Sequence, residues 1–152
     1  MREITLKRFF LDEVNADVLA EDVCGSVARL DAVASSVQIE DMQEPFQLQR
    51  EHVIRLSDAA SSRTLPPESL SAIAFALMAS DAFWWDDYVI AEVVADWSCP
   101  EINYPLTDET LAMHRNWLEG KSEPPIRSLP PRDKRQGRIV STRTKERIPK
   151  SV

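Results

Sequence analysis

Few side chains in this sequence can do covalent chemistry, and their spacing is the first guide to what the chain does. There are two cysteines, Cys24 and Cys99, and two histidines, His52 and His114. A thiolate activated by an imidazole would be a nucleophile. No local motif places either cysteine beside either histidine, and the CxxC spacing of redox and zinc sites is absent. Glu92, Asp96 and His114 carry donors a metal could use, but their spacing matches no established ligand pattern. GxSxG, HExxH and Gly-rich phosphate loops are all missing. The three glycines, widely spaced, cannot form a cradle for nucleotide phosphates. These absences predict a protein that is not an enzyme and that needs no metal or cofactor. Two distant cysteines without a pairing pattern predict reduced thiols in a cytoplasmic protein.

Charge offers a different chemistry, that of non-covalent recognition. Between Arg63 and Arg115 lie 51 residues without a lysine or arginine, and they hold nine acids. Asp86, Asp87, Asp108 and Glu109 suit helix N-termini, where the dipole favours carboxylates. Glu92, Asp96 and Glu101 have no such reason to be there. Glu92 and Asp96 are four apart, so they share a helix face and repel each other. Either the acids form a solvated face, or they form a surface that binds a basic protein partner. Three of the four tryptophans fall in the same region, and the fourth, Trp117, lies just beyond it. They pack around an apolar helix, or Trp84 or Trp85 stands exposed at a helix–helix corner as an interface anchor. The expected binding surface is therefore Asp86, Asp87, Glu92, Asp96 and Glu101 with Trp84 and Trp85.

These residues must be held by a mainly α domain over residues 1–120. About six helices and one small β-hairpin are expected. Leu6, Phe9 and Phe10 mark a short first helix. Asn15 caps a second, whose face is Leu19, Val23, Val27 and Leu30, with Gly25 a weak point in its middle. Val37 and Ile39 alternate with polar residues, as do Phe46 and Leu48, which predicts a hairpin over residues 37–48. A third helix spans about residues 50–62. Pro66 and Pro67 open a fourth, apolar nearly all round and so expected to be the buried centre. Asp86 caps a fifth. Thr107 caps the last, with Leu106 and Leu111 as its hydrophobic staple, and Gly120 ends it.

The first 120 residues hold 8 basic and 22 acidic side chains, a charge of −14, whereas residues 121–152 hold 10 and 3, a charge of +7. The tail carries half of the ten prolines and few apolar residues, too few to build a core of its own. It is read as an irregular basic segment. Nucleic acid is disfavoured as a partner because no aromatic residue is interleaved with its charges. Residues 127–131, Arg-Ser-Leu-Pro-Pro, have the form of a polyproline ligand for SH3-type grooves, which is read as chance. A basic tail on an acidic body could also dock onto another copy and build an oligomer. No apolar run approaches the roughly 20 residues of a membrane span, and the N-terminus lacks a stretch of signal-peptide length.

Residues 4–24, ITLKRFFLDEVNADVLAEDVC, place an aromatic–Leu pair (Phe10-Leu11) before a polar break at 12–17 and an amphipathic segment at 18–24. This order resembles the N-terminus of the colicin-like bacterial self-protective immunity proteins. The resemblance covers about a seventh of the chain. It implies a small acidic helical bundle that neutralises a basic, nuclease-like toxin by charge and shape. The expected function is thus a non-catalytic binding protein with an acidic surface. The alternative is an assembly protein whose tail docks on the acidic body of another copy.

Overall fold

The computed structural model describes residues 1–29 and 35–125, without the side chains of residues 28, 29 and 35. Leu30 and the tail from residue 126 lie outside the described residues. The fold is mainly α, with six helices among the described residues: α1 (Glu3–Phe10), α2 (Ala16–Cys24), α3 (Arg50–Ser61), α4 (Pro67–Ala79), α5 (Tyr88–Ser98) and α6 (Asp108–Leu118). Four short strands accompany them: β1 (Val27–Arg29), β2 (Ser35–Val37), β3 (Phe46–Gln47) and β4 (Phe83–Trp84).

Helix starts follow local chemistry. The Asn15 side chain accepts from the Val18 N–H, and the Thr107 hydroxyl accepts from the Thr110 N–H. Leu106 and Leu111 both join the core, as a staple requires. The fifth helix is capped by Asp87, one residue later than expected, through its bond from the Val89 N–H. Three helix ends share one device. After α1, α3 and α6 the chain turns through a left-handed residue, Asp12 (φ 63°), Arg63 (φ 65°) and Gly120 (φ 75°). In each case the paired backbone bonds of a Schellman turn close the end, such as Thr64 N–H to the Ala59 carbonyl (3.0 Å). Only Gly120 adopts that conformation without steric cost.

Two local expectations are corrected. The second helix does not run on to Val27. It stops at Cys24, Gly25 becomes its C-cap, and Val27 enters β1. A glycine, with the β-branched Val27 two residues on, favours this break. The hairpin lies over residues 27–37, with β1 and β2 antiparallel and Val27 opposite Val37. Residues 37–48 do not form one. Phe46 instead pairs in parallel with Phe83, and Gln47 with Trp84. Alternation reveals an extended segment with one buried side, but it does not name the strand across from it.

The core is one continuous cluster. α4 is its axis and packs on α2, α3 and α5, while α6 closes over α3 and α5. Leu70, Ile73, Ala74 and Leu77 of α4 are fully buried. The helix is nevertheless not buried all round, because Phe75 is 50% exposed and Met78 is 38% exposed. Phe10, Phe46, Phe83 and His52 form an aromatic cluster that ties α1 and α3 to the β3–β4 pair.

Candidate functional site

The seven residues expected to form one binding surface do not do so. Glu92, Asp96 and Trp85 are buried, at 3%, 0% and 0% exposure. Glu92 and Asp96 do share a face of α5, but it is the face toward the core. Charged side chains almost never sit fully inside without partners, which is why the sequence pattern pointed outward. Asp87 is occupied twice. It caps α5, and it grips Arg50 through both oxygens, at 2.5 and 3.2 Å. That hydrogen bond raises the Arg50 guanidinium above its ordinary value, against the opposing effect of burial. Trp84 is half-buried in the β3–β4 pair, and Asp86 is exposed near Gln47. Of the seven, Glu101 alone lines a groove of the size that ligands use.

Asp96 belongs to a sealed polar network. His114, also 0% exposed, lies with Nε2 3.0 Å from Asp96 Oδ2. The Trp97 indole N–H donates to His114 Nδ1 at 3.1 Å. An indole can only donate, so Nδ1 is the bare nitrogen and Nε2–H donates to the carboxylate. Tyr104 and Trp117 set their rings edge-on against the imidazole. The sequence offered Glu92, Asp96 and His114 as a metal set. The structure brings Asp96 and His114 together, but as a hydrogen-bonded pair without access to solvent, and no metal-holding group of three occurs among the described residues. The cysteines are both exposed, whereas His114 is sealed in the core. His52 sits in its own environment at the start of α3, where Nδ1 accepts the Gln49 N–H at 2.9 Å. Burial against Phe10 and Phe46 pushes its imidazole below the usual value.

This network positions the α5–α6 loop. His114 and Trp97 join α6 to α5, and Tyr104 lays the loop against them. Asn103 reaches back to the Ala95 carbonyl, and Pro100 and Pro105 restrict the backbone on either side. The loop so held forms one wall of a groove of about 800 Å³. The first half of α4 supplies another wall through Glu68, Ser71, Ala72 and Phe75, and the β1–β2 hairpin supplies Val27, Ser36 and Val37. Glu68 stands in the first turn of α4, where the helix dipole favours a carboxylate.

The charge of the groove is one-sided. Among the described residues, its only charged lining residues are Glu68 and Glu101, both exposed. Among the described residues neither has a basic partner. Elsewhere among the described residues cations are engaged: Arg2 with Asp22, Lys7 with Glu44, Arg55 with Asp12, and Arg115 with Asp58 and Glu119. Phe75 was the residue the sequence could not single out. In a helix that is apolar on every side, no pattern marks the side left uncovered.

Comparison with protein-family models, curated proteins and solved structures finds no match to the chain. No helix among the described residues is long and apolar enough to cross a membrane.

Proposed function

We propose that this protein is a non-catalytic binding module that docks a basic, partly apolar segment of a protein partner in the groove between the β1–β2 hairpin, α4 and the α5–α6 loop. The observation that carries this reading is a half-exposed Phe75 in a groove whose only charges, among the described residues, are the carboxylates Glu68 and Glu101. Covering the open half of a phenylalanine contributes about 1 kcal/mol. The two carboxylates select the sign of the partner, and the −14 body steers cations toward them from a distance. A nuclease-like toxin domain, the partner implied by the N-terminal resemblance, is one protein of that chemistry. The pair that looks most catalytic, His114 and Asp96, has no opening through which a substrate could reach it.

The test uses the full chain with Arg127, Arg132, Lys134 and Arg135 changed to Gln, so that residues 126–140 carry no net charge. A fluorescent peptide of Arg, Leu and Pro residues is titrated by anisotropy, beside a control with Glu in place of Arg. The basic peptide is expected to bind, to weaken as salt rises, and to lose at least tenfold in affinity to Glu68→Lys/Glu101→Lys. Binding of both peptides alike, or binding untouched by the double reversal, refutes the proposal.

A further inference from the structure

We infer that the groove has a resident ligand in the same chain, namely residues 126–140, and that an external partner must displace it. This rests on the groove reading above. Three observations support it. The first is charge: among the described residues the groove presents two carboxylates without a basic partner and no cation, while residues 126–140 hold five basic side chains and one acid. The second is composition. That segment sets Ile126, Leu129, Ile139 and Val140 among its cations, so it can offer apolar groups to Phe75 and Leu106 and positive charge to the rim.

The third is reach. Leu106, at the start of α6, lines the groove. The 11 residues of α6 carry the chain about 16 Å away. Residues 119–125 add at most about 23 Å, so Pro125 lies within about 40 Å of the groove. A chain of 15 further residues spans up to about 50 Å when extended. The return is therefore possible within one molecule. A tethered ligand acts at an effective concentration of roughly 1 mM. If its own dissociation constant is about 0.1 mM, it weakens an external basic peptide by about tenfold.

Two measurements test this. In the first, Phe75 is replaced in the full chain by p-benzoylphenylalanine, which its exposed position accommodates, and the protein is irradiated. Adducts are mapped by mass spectrometry. The expected product is a crosslink to residues 126–140 in material of monomer mass, lost in the Glu68→Lys/Glu101→Lys background. A crosslink between two chains overturns the intramolecular assignment and identifies a second copy as the occupant. Absence of any crosslink to 126–140 also overturns it. In the second, the anisotropy titration is repeated with the unaltered chain. The peptide is expected to bind about tenfold more weakly than to the chain with the four neutralised tail residues. Equal binding to both chains refutes the resident tail and leaves the groove reading standing. Binding to neither refutes the groove reading, and the tail assignment with it.

Discussion

Replacing Asp96 with alanine should destabilise the domain by about 3 kcal/mol. The His114 Nε2–H now ends on a carboxylate 3.0 Å away, and both side chains are 0% exposed. A hydrogen bond to a charged group contributes about 1.5–3 kcal/mol. Leaving a buried donor without its acceptor adds a desolvation cost of the same order. A water entering the vacated space offsets part of it. Asp96→Asn is milder, about 1 kcal/mol, because the carboxamide oxygen still accepts from Nε2–H and only the charge is lost. His114→Phe should cost a comparable amount, since it removes the Nε2–H donor from Asp96 and leaves the Trp97 N–H without its acceptor. Urea unfolding followed by tryptophan fluorescence reads these values. With a slope of about 2 kcal/mol per molar, Asp96→Ala lowers the midpoint by about 1.5 M. Nitrogen-15 spectra of the His114 ring should show Nε2 protonated and Nδ1 bare. A midpoint shift below about 0.3 M for Asp96→Ala, or a proton on Nδ1, would refute the network as drawn.

Three further outcomes are expected. Ala74→Asp places a carboxylate at a fully buried position of α4 and should lower the thermal midpoint by more than about 10 °C, measured by circular dichroism. Arg63→Gly should raise stability by about 1 kcal/mol in urea, because it relieves a left-handed conformation and gives up only an exposed ion pair with Asp108. The third concerns pH. Burial holds the folded-state imidazole of His52 below the unfolded value of about 6.5, so the unfolded chain takes up that proton first. The contribution is fully present above about pH 6.5 and is lost as pH falls toward the lower folded value. His52→Gln keeps an acceptor at the third helical position for the Gln49 N–H, and its stability between about pH 7 and 5 should be flatter than that of the parent. Parallel profiles for the two proteins would count against the assignment.

Much of the α framework is legible in local chemistry alone. Asn15, Pro67, Thr107 and Gly120 act within a turn of their own backbone, so their types locate helix ends. The sequence also determined that the body is acidic, that the segment after residue 120 is basic, and that no familiar catalytic or metal motif is present. Partners across space were a different matter. Val37 and Phe46 looked like two arms of one hairpin, yet one pairs with Val27 and the other with Phe83. Glu92 and Asp96 looked like a surface because charge in water is the cheaper state. Only the arrival of His114 from α6 shows why Asp96 can be enclosed. Phe75 looked like core, because an all-apolar helix gives no sign of which neighbour will be missing. Only tertiary packing decides that, since burial depends on which surfaces meet rather than on the residues that carry them. The groove follows from the same rule. Its walls come from residues 27–37, 67–75 and 98–106, and nothing in any one of them reveals the other two.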